Sequence, residues 1–224
     1  SQLLDPAPYA EALGKLVALV KAFRAAGVST LESLDIGGGL GIRYQPEAGP
    51  GMDPSALAAV VGPLAAEAGL PVTMEPGRFL VGSAGVLLTE VLYRKHSGGR
   101  DFVIVDAAMN DLLRPSLYKA HHEIVEVVPA GRPAGPVDVV GPICETGDFL
   151  ALERTLPKVE PGERLAALCA GAYGFAMSSN YNTRGRAAEV IVDGGRWAVV
   201  RPRESVDSLF ASEVADPFAT LSDN

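Results

Sequence analysis

The sequence predicts a two-part fold, the closing segments of an (α/β)8 TIM-like barrel followed by a β-sandwich or Greek-key barrel domain. Three observations carry that expectation. Helix-like and strand-like segments alternate up to residue 86. After Leu87 the texture changes to short apolar strands separated by Gly/Pro turns. Glycines, glutamate and arginine fall just after the predicted strands of the first part, where α/β barrels place their chemistry.

Each element has its own signal. Residues 8–26 carry Leu13, Leu16, Val17, Val20 and Phe23 at helical spacing and stop at Gly27, a residue favoured just past helix ends. Residues 31–36 read as a strand running into Gly37-Gly38-Gly39. Asp53 as N-cap and Pro54 at the first helical position open a second helix, which runs to about Ala68 with Gly69 after it. Residues 72–75 form the next strand and end in Pro76-Gly77-Arg78. A whole barrel takes about 250 residues, so residues 1–86 hold only a fraction of one. The second domain, residues 87–224, is predicted to hold strands at 86–93, 102–106, 124–128, 137–140, 165–170, 189–192 and 197–201. A short helix over about 204–212 follows.

Bulk composition narrows the function. With 48% hydrophobic and 21% charged residues, the 224-residue chain is expected to be globular rather than disordered. A net charge of −8 argues against nucleic-acid or anionic-membrane partners. Two cysteines make no disulfide framework, which points to a reducing, cytoplasmic compartment. No apolar run reaches about 18 residues and no charged-then-apolar leader opens the chain. Metal-ligand spacings are absent too, since His121-His122 is an isolated doublet. Cys169, within the apolar run 165–170, reads as buried structural sulfur.

The chemistry lies in five short motifs. GPICETGD (residues 141–148) sets the Cys144 thiol beside the Glu145 carboxylate in a Gly/Pro-rich turn, pairing a proton donor with a group that can orient an amine. The run 37–41 lets backbone N–H groups approach an anion closely, and the alternative is a flexible strand-to-helix turn. In Glu75-Pro76-Gly77-Arg78 the carboxylate suits a pyridinium nitrogen and the guanidinium suits a carboxylate; the alternative is a structural Arg–Glu pair. Arg114 and Tyr118 share a face if their segment is helical and would suit a distal carboxylate, the alternative being a solvated turn. Tyr173, between Gly171 and Gly174, is either displayed to a ligand or an aromatic plug. The stretch holding Arg184 and Arg186 reads as a solvated loop.

Together these motifs resemble those of the pyridoxal-5'-phosphate-dependent, fold-type III decarboxylases of basic amino acids, most of all the branch acting on diaminopimelate. The residues that carry the resemblance are LDIGGGLGI (34–42), MEPGRFLVG (74–82), FVIVDAAMNDLLRPSLY (102–118), GPICETGD (141–148) and GAYGFAMSSNYN (171–182). They span nearly the whole chain in family order. The resemblance implies that Gly39, Glu75, Pro76, Gly77 and Arg78 bind pyridoxal phosphate, with Glu75 at the ring nitrogen. It implies that Arg78, Arg114 and Tyr118 hold the distal end of the substrate, and that Tyr173 touches both cofactor and substrate. Cys144 would be the catalytic proton donor and Glu145 a substrate-binding residue, both serving the partner subunit of a homodimer. The implied reaction is decarboxylation of meso-2,6-diaminopimelate to L-lysine. An ornithine, arginine or carboxynorspermidine decarboxylase, or a non-catalytic homologue that keeps the fold, is the alternative.

One departure stands out. Ser1-Gln2-Leu3-Leu4 has no initiator Met, and Ser1-Gln2 resembles the end of a His-Ile-Gly-Ser-Gln strand of that family. The expectation is a chain cut from a longer one. Its lysines, at 15, 21, 95, 119 and 158, match none of the family's cofactor-lysine motif, so the chain alone is predicted inactive.

Overall fold

The computed structural model describes residues 1–214, so the last ten residues expected in the second domain lie outside the described residues. The chain divides into two compact units. Unit 1 is Ser1–Leu87 with His121–Val125 and Ala166–Ala172; unit 2 is Leu88–Ala120, Glu126–Leu165 and the chain from Tyr173.

Unit 1 begins with α1 (Ala7–Ala25), a helix rich in alanine, leucine and lysine. Its Leu13, Val17 and Val20 are buried at helical spacing, as the pattern predicts, whereas Phe23 is exposed. Gly27, at φ +86°, ends the helix and donates to Arg24 O at 3.0 Å. A strand β1 (Leu34–Asp35) follows, then α2 (Pro54–Ala68), then β2 (Val72–Thr73). At the start of α2, Asp53 Oδ1 accepts the Ser55 amide at 2.8 Å; at its end Gly69 is left-handed at φ +61°. β1 and β2 pair in parallel, Leu34 opposite Val72. Leu13, Val17, Val20, Leu34 and Ala68 form one core cluster, with Val61, Leu64 and Val72 packed on it. Full burial of one such leucine contributes about 1.5–3 kcal/mol. A second cluster of Tyr9, Leu40, Met52 and Leu57 takes in Phe79 of the short helix α3 (Gly77–Val81). Beside this two-stranded parallel sheet an isolated parallel bridge joins Leu3 to Leu40, and both strands are shorter than the apolar runs that predict them.

The remaining elements are β3 (Leu87–Ser97), β4 (Arg100–Val105), α4 (Arg114–Tyr118), β5 (Ile124–Glu126), β6 (Ala134–Val140), β7 (Phe149–Pro157), β8 (Arg164–Ala167), β9 (Glu189–Asp193), β10 (Arg196–Arg201) and α5 (Val206–Leu209). Gly98 and Gly99, at φ +59° and +75°, make the two-residue turn of the β3–β4 hairpin, a conformation that glycine adopts without strain. β4 then pairs in parallel with β6, and β6 in antiparallel fashion with β7. The result is one mixed six-stranded sheet in the order β5-β8-β3-β4-β6-β7, in place of the two facing sheets of a sandwich. Val91, Val103, Val105, Val139, Leu150 and Leu156 are fully buried.

Three expectations change. The strand β7 was not expected: Glu153 and Arg154 interrupt its apolar run, and Glu153 sits in a bulge at φ +49° with its amide on Asp138 Oδ1 at 2.7 Å. β9 and β10 form a separate hairpin exposed on both faces, with Val192 at 72% and Trp197 at 71% exposure. The terminal helix shrinks to the four residues of α5, capped by Ser205. Among the described residues, no helix is long and apolar enough to cross a membrane.

Candidate functional site

In unit 1 the glycine run and the segment 75–78 lie side by side just past the ends of β1 and β2. Ile36 N donates to Thr73 O and Glu75 N to Gly37 O, each at 3.0 Å, so the ladder continues into both loops. Gly37, at φ +71°, receives its turn from Asp35, whose Oδ1 accepts the Gly37 amide at 2.7 Å. Gly38 has no room for a side chain: a Cβ there would stand 2.4 Å from Glu75 O. Tyr9 Oη donates to Gly38 O at 2.7 Å and Leu3 N to Gly39 O at 2.8 Å, fixing the run from its other side. The outcome is a rigid backbone cradle with Glu75 exposed at its edge.

The Arg78 guanidinium donates to the Tyr44 hydroxyl at 2.6 Å and lies 5.7 Å from the Tyr44 ring centre. Tyr44 in turn meets His122 edge-on at 5.5 Å. His122 is fully buried, and its Nδ1 lies 2.8 Å from Leu168 O. Neither partner of this row is signalled by a local sequence pattern. His122 looked like half of an isolated doublet, and Tyr44 carried no local signal. Cys169 corrects another expectation. It falls past the end of β8, left-handed at φ +56° and half-buried, with its thiol donating to Arg43 O at 3.6 Å. It is therefore not core sulfur within a strand.

In unit 2 the GPICETGD segment is the irregular loop from β6 to β7, and it displays both Cys144 and Glu145 to solvent. Its frame is Asp148, a buried carboxylate. Asp148 Oδ2 accepts the Ile143 amide at 2.6 Å across the loop, and Oδ1 accepts the Met109 amide at 2.7 Å from the segment after β4. Burial pushes the Asp148 carboxyl above the usual range, against those two amides, which favour the anion. Gly141 opens the loop, and a Cβ there would meet the Asp148 oxygens at 2.5 and 2.6 Å.

Glu145 is held at both oxygens. The Gly147 amide donates to Oε1 at 3.2 Å, and the Tyr181 hydroxyl donates to Oε2 at 3.1 Å. The Gly147 amide first and the Tyr181 phenol second hold its carboxyl below the ordinary value. The same contact raises the Tyr181 phenol. Nothing in the sequence joins Glu145 to a residue 36 positions on.

Arg114 and Tyr118 do occupy one helical turn, α4, but not one environment: Arg114 is 7% exposed and Tyr118 62%. The loop of Arg184 and Arg186 is not a solvated one. Arg184 Nε donates to Asn110 Oδ1 at 3.0 Å, and Arg186 Nη1 donates to Glu204 Oε1 at 3.0 Å. Tyr173 is 44% exposed and left-handed at φ +61°, a backbone conformation that strains a bulky residue and recurs at functional sites.

Similarity to known proteins adds identity to this geometry. Residues 17–171 match the family described as pyridoxal-dependent decarboxylase, C-terminal sheet domain. The diaminopimelate decarboxylase of Aquifex aeolicus is 50% identical over 207 residues, covering 92% of this chain and 49% of that protein. The crystal structure of AQ1208 from Aquifex aeolicus superposes with a TM-score of 0.91 at 48% identity, covering 96% of this chain and 53% of that one. Diaminopimelate decarboxylase from Helicobacter pylori complexed with L-lysine superposes at 0.87 with 39% identity, covering 94% and 52%. The chain thus spans about half the length of the curated relatives it matches.

Proposed function

The chain belongs to the pyridoxal-dependent decarboxylases, whose C-terminal sheet domain it carries, and on that premise we propose that the whole protein converts meso-2,6-diaminopimelate to L-lysine and CO2. The observation that supports this most is a relative of that name, 50% identical over 92% of the chain. The exposed pair Cys144 and Glu145 is what such a reaction needs, a proton donor beside an anion. We take residues 1–86 as the last segments of the cofactor-binding barrel and 87–224 as the sheet domain, in a cytoplasmic homodimer.

The residues of unit 1 fit part of a pyridoxal-phosphate holder. Gly38 is packed so closely that only glycine is accommodated, and the neighbouring backbone forms a cradle beside the exposed Glu75 carboxylate. Gly39, Pro76, Gly77 and Arg78 would line the phosphate side, and Glu75 would meet the ring nitrogen. Bound there, the cofactor supplies the electron sink for decarboxylation. None of the chain's lysines stands in a matching motif, so the cofactor's lysine is assigned to a part of the whole protein outside this chain.

The other roles belong to side chains. A planar guanidinium, such as that of Arg78 or Arg114, and a phenol, such as that of Tyr118, are suited to the substrate's distal carboxylate. Tyr173 contacts cofactor and substrate. Glu145, acceptor-only while ionised, receives an ammonium group in the partner subunit's site. Cys144 gives its proton to the α-carbon after CO2 leaves.

The test is turnover by the full-length protein supplied with pyridoxal phosphate. Lysine should form from meso-diaminopimelate, ornithine should compete poorly, and Cys144→Ala should lower kcat by about 10²-fold or more, as for a lost general acid. Preference for ornithine would reassign the substrate, and unchanged turnover in the variant would remove Cys144 from its role.

A further inference from the structure

We propose that Tyr181 is a positioning residue that fixes the Glu145 carboxylate in the orientation in which it receives the substrate's amine. The amine role of Glu145 is taken from the function proposed above; the fixing of its carboxylate by Tyr181 stands on geometry.

An exposed glutamate ordinarily samples many rotamers, and ordering it costs entropy. Glu145 is held from two directions instead, by the Gly147 amide at Oε1 and the Tyr181 hydroxyl at Oε2. Each donor sits on a separately anchored segment. Gly147 belongs to the loop framed by Asp148. The segment before Tyr181 is tied to residue 110, with Ser179 N donating to Asn110 O at 2.9 Å and Asn110 Nδ2 donating to Ser179 O at 3.3 Å. Just ahead of Tyr181, Asn180 Nδ2 reaches Glu204 Oε2 at 2.6 Å and Arg184 O at 3.0 Å. Asn182 and Thr183, both at φ +57°, turn the chain back toward Arg184. The hydroxyl is therefore delivered by a rigid loop rather than by a mobile one.

A carboxylate offers about four lone-pair positions, and two donors leave about two for a ligand. An anion with its remaining acceptors aimed outward selects a cationic donor, and an ammonium group meets that need directly. Both donors favour the charged form, so the carboxylate stays ionised at lower pH than a free glutamate does. In this role the phenol acts by orienting Glu145 rather than on the substrate itself.

The experiment uses the full-length protein, with Tyr181→Phe, Glu145→Gln and the double variant. Tyr181→Phe keeps the ring and removes one donor. Affinity for L-lysine, read by calorimetry, and KM for diaminopimelate should each worsen about tenfold, with kcat much less affected. The double variant should bind lysine no more weakly than Glu145→Gln alone. Carbon-13 NMR of the glutamate carboxyls should show the Glu145 midpoint moving upward in Tyr181→Phe, and lysine affinity should fade at correspondingly higher pH. An unmoved midpoint overturns the positioning role of Tyr181 whatever the enzyme's substrate. A moved midpoint with lysine affinity untouched in every variant overturns the amine role of Glu145 instead.

Discussion

Asp148 joins two segments far apart in sequence, its Oδ1 accepting the Met109 amide at 2.7 Å while Oδ2 closes the loop that displays Cys144. Asp148→Ala would leave both amides without their acceptor, and a buried unsatisfied donor costs about 1–3 kcal/mol. The variant should therefore lose roughly 2 kcal/mol or more of stability. Asp148→Asn, which keeps one acceptor, should lose less. Urea midpoints of the two variants against the parent check the order, and equal midpoints would contradict it.

Gly141 should tolerate no side chain. A Cβ there would stand 2.8 Å from Ala107 O as well as against the Asp148 carboxylate, and neither main chain nor a doubly bonded side chain can swing away. Gly141→Ala should cost about 1–3 kcal/mol, the range for forced overpacking. Gly135→Ala in β6 is the control, because nothing lies within 4 Å of the added carbon. Thermal melts that rank the two equally would defeat the prediction.

Glu204 gives a pH-dependent test. The Arg186 amide, then Asn180 and the Arg186 guanidinium, hold its carboxyl down to about 2. A depressed carboxyl contributes stability above its unfolded value, near 4.5, and loses it as pH falls toward the folded value. The gap in melting temperature between the parent and Glu204→Gln should be full at pH 6–7 and should close between about pH 4.5 and 2. A gap that persists unchanged at pH 2 would show that the carboxylate's charge has no part in it.

What could be read from the residues was local. Asp53, Pro54 and Gly69 bound α2 because caps depend on neighbours in sequence, and Gly98-Gly99 makes its hairpin for the same reason. The display of Cys144 and Glu145 was legible because a Gly/Pro-rich turn cannot bury its side chains in regular structure. Long-range chemistry was not legible. Tyr181 finds Glu145, and Arg184 finds Asn110, only after the chain has folded. β7 escaped notice because a bulge moves Glu153 and Arg154 out of the alternating pattern. Cys169 was misjudged because an apolar run says nothing about where its strand stops.

Tyr173 keeps a left-handed backbone that glycine or asparagine would adopt without strain. Selection for heat resistance alone would favour those two residues at this position, and each would discard the half-exposed phenol ring. A library screened for melting temperature and one screened for turnover should therefore diverge at residue 173. The tyrosine records which of the two pressures shaped the natural chain.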